Sequence, residues 1–216
     1  GLFSASVSVE RNEFQTFIEG SQSGLLYPAA SSFLYAKRVS RGDETSFIES
    51  VRKDSSVPDL NLSHFSITPA GERATYFPVT YIEPKGSESE LGNDLYAVDA
   101  NHDAIENSVD KNDVSSVIEL TDSHHVISMF LPVFKNGAPI QSSAEKESAL
   151  MGMLNVRIDL GALFSSLFTN NPNVGNSTHI TLQEINNAGK IIYEFGPSIT
   201  GSGILTDSQE MRVKDV

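Results

Sequence analysis

The densest group of side chains that could do chemistry is a run of carboxylates and amides in one short segment: Asp99, Asn101, Asp103, Asn107 and Asp110. Oxygen ligands at alternate positions are typical of a calcium-binding loop. The segment departs from that pattern, because Ala104 stands where the turn needs glycine and Asp110 where a bidentate glutamate is wanted. The same residues also predict a helix capped by Asp99 or Asn101, and the two interpretations exclude each other. A helix with a solvated acidic face is favoured.

Other patterns give no support for catalysis. The adjacent His124 and His125 would point to opposite faces of a strand, so they cannot easily bind one metal ion. Glu83 could act as an acid, but no partner carboxylate is identified for it. The sequence contains no nucleophile-elbow, phosphate-loop, dinucleotide or zinc-protease motif. We therefore expect neither enzymatic activity nor a cofactor in this chain.

Composition narrows the class of protein and of partner. The formal net charge of −13 disfavours nucleic acid and anionic membrane surfaces as partners. The absence of cysteine removes disulfides, thiolate metal sites and a cysteine nucleophile, and it is compatible with the periplasm. No run reaches the roughly 18 apolar residues of a spanning helix, since Arg157 and Asp159 interrupt the best candidate. The chain is long enough for one sizeable core or two small subdomains.

The order of predicted elements indicates an α+β fold. Apolar spacing predicts an amphipathic helix over 1–20, a short helix or helix-to-strand passage over 30–39, and a helix over 43–54. Residues 76–84, YFPVTYIEP, are predicted to form a strand at a sheet edge or at a bulge, because Pro78 lies inside the run. The acidic helix follows, and then three strands are predicted over 116–120, 126–134 and 150–158. A helix capped by Asp159 is predicted over 160–168, and a hairpin is predicted from strands at 179–185 and 191–195.

The run YFPVTYIEP, followed by LGND at 91–94, resembles the central signature of CHASE domains, the extracytoplasmic sensory domains of receptor histidine kinases and nucleotide cyclases. Residues 33–39, 130–134 and 151–156 extend the resemblance, which covers roughly residues 3–168. It implies a PAS-like fold with a helical stalk (1–54), a membrane-distal ligand-binding subdomain (55–158), a connecting helix and linker (159–172), and an incomplete membrane-proximal subdomain (173–216). A boundary in the polar segment 170–177 agrees with this division.

The resemblance also implies a ligand site. In plant cytokinin receptors an aspartate of the corresponding helix accepts hydrogen bonds from the ligand, and Asp103 falls at the matching place. A carboxylate on a pocket wall is a charge-assisted acceptor that orients a ligand. The alternative for Asp103 is an ordinary first-turn aspartate stabilised by the helix dipole. Apolar and aromatic pocket walls are predicted from Tyr76, Tyr81, Leu120, Phe130 and Met151, each of which could instead belong to the core.

We expect the extracytoplasmic sensor region of a membrane receptor, which binds a small organic ligand and signals to a cytoplasmic kinase or nucleotide cyclase. The ligand would be purine-like, amino-acid-like or another metabolite. A homodimer along the N-terminal helix is implied by the resemblance, with membrane contact only through flanking helices. The alternatives are a stand-alone periplasmic binding protein or secreted enzyme, and a calcium-dependent adhesion module.

Overall fold

One antiparallel sheet organises the fold, and helices pack on both of its faces. The computed structural model describes residues 2–5, 9–21, 29–84, 87–120, 125–169, 177–183 and 191–198. The strands are β1 (Ala30–Lys37), β2 (Val39–Ser40), β3 (Thr75–Tyr76), β4 (Val79–Glu83), β5 (Ser115–Leu120), β6 (His125–Phe134), β7 (Leu150–Asp159), β8 (Ile180–Gln183) and β9 (Ile191–Phe195). The helices are α1 (Leu2–Ala5), α2 (Arg11–Gly20), α3 (Glu44–Arg52), α4 (Asp99–Lys111), α5 (Ser143–Ala149) and α6 (Leu160–Phe168).

The main sheet has five strands in the order β4–β1–β7–β6–β5, and every pairing is antiparallel. In its middle, Leu34 of β1 lies opposite Asn155 of β7, which lies opposite Phe130 of β6. On one face, α4 packs Ala104 and Ile105 against this part of the sheet. The opposite face is covered in part by α2. Helices and an antiparallel sheet confirm the predicted α+β, PAS-like class.

The prediction of a helix or helix-to-strand passage over 30–39 is wrong, because Ala30–Lys37 form the interior strand β1, between β4 and β7. Leu34, Tyr35 and Ala36 are all buried, since both faces of the strand are covered. A strand covered on both sides has a continuous apolar run, and periodicity cannot separate such a run from a buried helix. The main sheet therefore begins before residue 55, while the subdomain boundaries remain predictions.

The strand predicted over residues 76–84 is interrupted next to Pro78, the residue that indicated an edge position. Residues 76–84 form two strands, β3 and β4, which Phe77 and Pro78 separate. Because β4 is an outer strand of the main sheet, the predicted edge position is confirmed. A proline is tolerated there since it cannot donate a backbone hydrogen bond to a neighbouring strand.

The loop after β4 is closed by Asp94, whose side chain is buried. One oxygen, Oδ1, accepts hydrogen bonds from the backbone N–H groups of Phe77 (2.7 Å) and Tyr96 (3.1 Å). The other, Oδ2, lies 3.3 Å from Arg73 Nε. Burial raises the pKa of Asp94, against the lowering effect of these hydrogen bonds and of Arg73. Gly92 is needed in this loop because its φ is +88° and a Cβ there would lie 2.0 Å from Ser66 O.

Most later elements agree with the predictions. The helices α3 and α4, the strands β5–β7 and the paired strands β8 and β9 all form where they were expected, while the predicted turn of the last hairpin lies outside the described residues. Asp159 caps α6 by accepting a hydrogen bond from Ala162 N at 2.6 Å. The residues of the calcium-loop interpretation lie within α4, but Val98 rather than Asp99 or Asn101 is its N-cap. Helix α5, with a capping box between Ser142 and Glu145, was not predicted.

Two further points concern the ends of the fold. Among the described residues, no helix combines the length and the apolar character needed to cross a membrane. Most of the predicted boundary at 170–177 lies outside the described residues. His124 and the tail beyond Ser198 also lie outside them. The hairpin β8–β9 packs on α6 through Tyr193 and Phe195, which contact Phe164.

Candidate ligand-binding site

The structure separates the residues that were predicted to bind a ligand. Asp103 lies on the outer side of α4, with its side chain 84% exposed and an oxygen 3.6 Å from His102 Nδ1. Phe130 is buried beneath the same helix, in the cluster that contains Leu34 and Ile105. The two residues are therefore on opposite sides of the α4 backbone. A ligand contact by either residue stays a prediction.

The other predicted residues belong to different packing clusters. Tyr76 is buried with the side chains of α3, while Tyr81 and Met151 pack with Phe14 of α2 on the opposite sheet face from Phe130. Tyr81 also lines cavities beside α2. The side chain of Leu120 lies outside the described part of the chain. Tyr81 and Met151 are therefore separated from Phe130 by the sheet, and Tyr76 belongs to a third cluster.

A polar row crosses the α4-facing side of the sheet beyond its apolar centre. Ser32 of β1, Arg157 of β7 and Ser128 of β6 lie opposite one another in register, so their side chains share one face. Asn155 lies two residues from Arg157 on the same strand and therefore points to the same side. We call Ser32, Glu119, Ser128, Asn155 and Arg157 the polar row.

Two atoms of the polar row are buried without a hydrogen-bond partner. Asn155 is 1% exposed, and its Nδ2 donates to Met129 O at 3.2 Å. Its Oδ1 accepts no hydrogen bond, and Arg157 Nε donates none, among the described residues. A buried polar group without a partner costs about 1–3 kcal/mol. Such groups on a sheet face favour a bound polar molecule that supplies the missing donor and acceptor.

Two carboxylates pair with side chains of the row. Arg157 forms an ion pair with Glu90, which belongs to a short 3-10 turn (Glu88–Glu90) after β4. Within the row, Ser128 Oγ donates a hydrogen bond to Glu119 Oε1 at 2.6 Å. A cation, an amide, hydroxyl groups and carboxylates thus occur within one band of the sheet. This arrangement suits a small ligand that carries both hydrogen-bond donors and acceptors.

Sequence analysis missed the polar row, although β7 carries a signal for it. Asn155, Arg157 and Asp159 recur at every second position of a strand that is otherwise mainly apolar. Polar residues that alternate on a central strand lie on one face, and that face is covered here by other elements. Within the described residues, no group of three or more histidine, aspartate or glutamate side chains is placed to hold a metal ion.

A comparison with models of protein families identifies a family for this chain. The family model described as the CHASE domain matches residues 7–193, which is most of the chain and includes the polar row. No curated protein matches the chain.

Proposed function

Since this chain belongs to the CHASE domain family, whose members are sensory domains of receptors, we propose that it binds a small organic ligand outside the cytoplasm for a membrane receptor. The ligand would be a purine-like, amino-acid-like or similar metabolite. The polar row is the proposed site. The observation that carries this proposal is the pair of unpartnered buried atoms, Asn155 Oδ1 and Arg157 Nε.

Strand β7 offers a direct route from the proposed site to the rest of the receptor. Asn155 and Arg157 lie near its end, and α6 begins at the next residue after Asp159. A ligand that draws Arg157 away from Glu90 would shift this end of β7 and therefore α6. The ligand changes the signalling equilibrium only by the difference between its affinities for the two states. The sign of the response depends on which state binds more tightly.

The receptor context is also part of the proposal. Flanking helices would anchor the sensor in the cell membrane, and two copies would pair along their N-terminal helices. The cytoplasmic output would be a histidine kinase, a diguanylate cyclase or phosphodiesterase, or an adenylate cyclase. Calculating hydropathy over the full-length protein would test the flanking helices, because two spans around this region favour a receptor and a lone signal peptide favours a free binding protein.

A thermal-shift screen tests the ligand site. Purified chain would be screened against purines, amino acids, polyamines, organic acids and peptides. A ligand at a hundredfold excess over its dissociation constant adds about 2.7 kcal/mol to the free energy of unfolding. We expect Arg157→Gln to lose most of the response and Arg38→Gln to keep it. Arg38 is a matched control because it also pairs with a glutamate, Glu147, and lies away from the row.

The same screen separates the two proposed positions of the ligand. If Asp103→Ala alone abolishes the response, the ligand binds on the outer side of α4 rather than on the polar row. If both Arg157→Gln and Asp103→Ala bind the ligand as well as the parent does, neither site assignment is correct. Membership of the family would be unaffected by either result.

A further inference from the structure

A buried arginine at the start of α2 marks a second site, on the sheet face opposite the polar row. Arg11 is 6% exposed. Its Nε donates to Asp54 Oδ2 at 3.0 Å, and its Nη1 donates to Thr80 O at 2.6 Å. The guanidinium carbon lies 5.0 Å from the centroid of the Tyr81 ring. The remaining nitrogen, Nη2, is buried and has no partner among the described residues.

A buried guanidinium with an unused nitrogen is unfavourable on its own. Removing a cation from water costs several kcal/mol, which pairing and hydrogen bonds must offset. Hydrogen bonds from Ser56 and Arg11 lower the pKa of Asp54, although burial acts in the opposite direction. Asp54 is therefore ionised near neutral pH and balances one charge. The Nη2 group still needs an acceptor, and a carboxylate is the planar anion that an arginine binds best.

Two cavities border this arginine. A cavity of about 110 Å³ is lined largely by apolar side chains, including Phe14, Val57, Leu60 and Leu91. A wider cavity of about 470 Å³ carries Lys37 and the hydroxyl groups of several serines and of Thr80. Arg11 contributes to both linings. An engineered apolar cavity of about 150 Å³ can bind benzene, so the smaller cavity has room for a short hydrocarbon chain.

The charges around the cavities limit the ligand to one carboxylate. Asp59, Glu83 and Glu88 line the smaller cavity with Arg11, so a ligand with a second acid group would be repelled there. Asp54 and Glu10 line the wider cavity and disfavour a doubly charged anion such as phosphate. Arg11 is the cation in the lining of the smaller cavity, and its Nη2 has no hydrogen-bond partner among the described residues. A ligand with an apolar body and a single carboxylate at one end would fit the apolar lining and would avoid the repulsion of a second acid group.

We propose that this chain binds a short-chain monocarboxylate beside α2, with the carboxylate on Arg11 Nη2 and the chain between Phe14, Leu60 and Leu91. The site is separate from the polar row, and it does not depend on the function proposed above. Because α2 and the 53–60 loop both contribute to it, an occupied site would hold the helix more firmly against β4.

Isothermal titration calorimetry with sodium butyrate on the whole chain tests this site. We expect saturable binding of butyrate and much weaker binding of butyramide, which has the same shape without the charge. Arg11→Gln should weaken butyrate binding about tenfold or more, which is about 1.4 kcal/mol. The matched control is Arg41→Gln, because Arg41 is 61% exposed, pairs only with Glu72 and borders neither cavity.

A second variant keeps the test decisive if Arg11→Gln fails to fold. Leu60→Trp fills the smaller cavity without removing a charge, and it should also abolish butyrate binding. Arg157→Gln should leave butyrate binding unchanged, which separates this site from the polar row. The proposal is overturned if butyrate does not bind saturably, if butyramide binds equally well, or if Leu60→Trp binds like the parent.

Discussion

Replacing Asp94 by alanine should destabilise the fold, because Asp94 closes the loop that follows the signature strand. The substitution leaves the N–H groups of Phe77 and Tyr96 without their acceptor, at about 1–3 kcal/mol for each group that stays buried. The ion pair with Arg73 adds about 0–1 kcal/mol, since Arg73 is partly exposed. Because water can reach the Tyr96 side of the loop, we expect a total loss of about 2–4 kcal/mol.

This loss is measurable by thermal unfolding. For a chain of this size, each kcal/mol lowers the melting temperature by about 2–4 °C, so Asp94→Ala should melt about 4–16 °C below the parent. Asp94→Asn should lose much less stability, because both N–H groups bond to the same oxygen, Oδ1, and an amide oxygen can replace it. Asp103→Ala is the control, because its side chain is 84% exposed.

The comparison between the two Asp94 variants carries the test. If Asp94→Ala melts with the parent, the buried carboxylate does not hold the loop, and the argument from unsatisfied donors is wrong. If Asp94→Asn is as unstable as Asp94→Ala, the charge rather than the hydrogen bonds is the dominant contribution. A similar melting temperature for Asp103→Ala and the parent is required in either case.

Three further predictions concern the backbone, the pH dependence and the assembly. Gly92→Ala should lower the melting temperature much more than Gly137→Ala, because both have positive φ but only Gly92 faces a backbone oxygen within contact distance; equal losses would contradict this. Asp54 has a lowered pKa in the folded state, so it stabilises the fold above its unfolded pKa and that stability is lost as the pH falls through the folded pKa. Urea titrations should therefore show Asp54→Asn less stable than the parent at pH 7, with the difference shrinking as the pH falls below the unfolded pKa of Asp54, whereas a constant difference would refute the assignment. Phe17→Asp on α2 should convert the proposed dimer to a monomer in sedimentation experiments, while Leu167→Asp on α6 should leave it dimeric. The two side chains are comparable because both are exposed, Phe17 by 46% and Leu167 by 60%. If both variants dissociate the dimer, the contact is not specific to α2.

Elements with a clear period or cap could be predicted from the sequence, and those that depend on tertiary packing could not. The strands β6 and β7 and the capped helix α6 were found because alternation and Asp159 are local signals. Strand β1 was missed because its burial comes from α2 on one face and α4 on the other. Leu62, Phe65 and Ile67 lie in irregular backbone and are buried through their packing against α3.

The candidate site shows the same limit. Asp103 was chosen through the resemblance to the cytokinin receptors, although the sequence also predicted a solvated acidic face on this helix, and Ala104 and Ile105 are the side chains that face the sheet. Asn155 and Arg157 could have been suspected from their alternation on an apolar strand. The lack of a hydrogen-bond partner for Asn155 Oδ1 and Arg157 Nε could not be predicted, because it depends on which residues of the neighbouring strands lie beside them. Arg157 lies opposite Ser128 and Ser32 only once three strands have paired. Arg11 gave no local signal, because its partners Asp54 and Thr80 lie far away in the sequence.

The hydrogen bonds that join α2 to β4 have a consequence for how a displacement of the helix is transmitted to the sheet. Arg11 joins the helix to Asp54 and to the backbone of β4, and Tyr81 Oη donates to Val9 O at 2.9 Å just before the helix begins. A sliding or twisting of α2 relative to β4 would break these three hydrogen bonds at once. The helix and this sheet edge therefore behave as one rigid body, and a displacement of either is expected to tilt both.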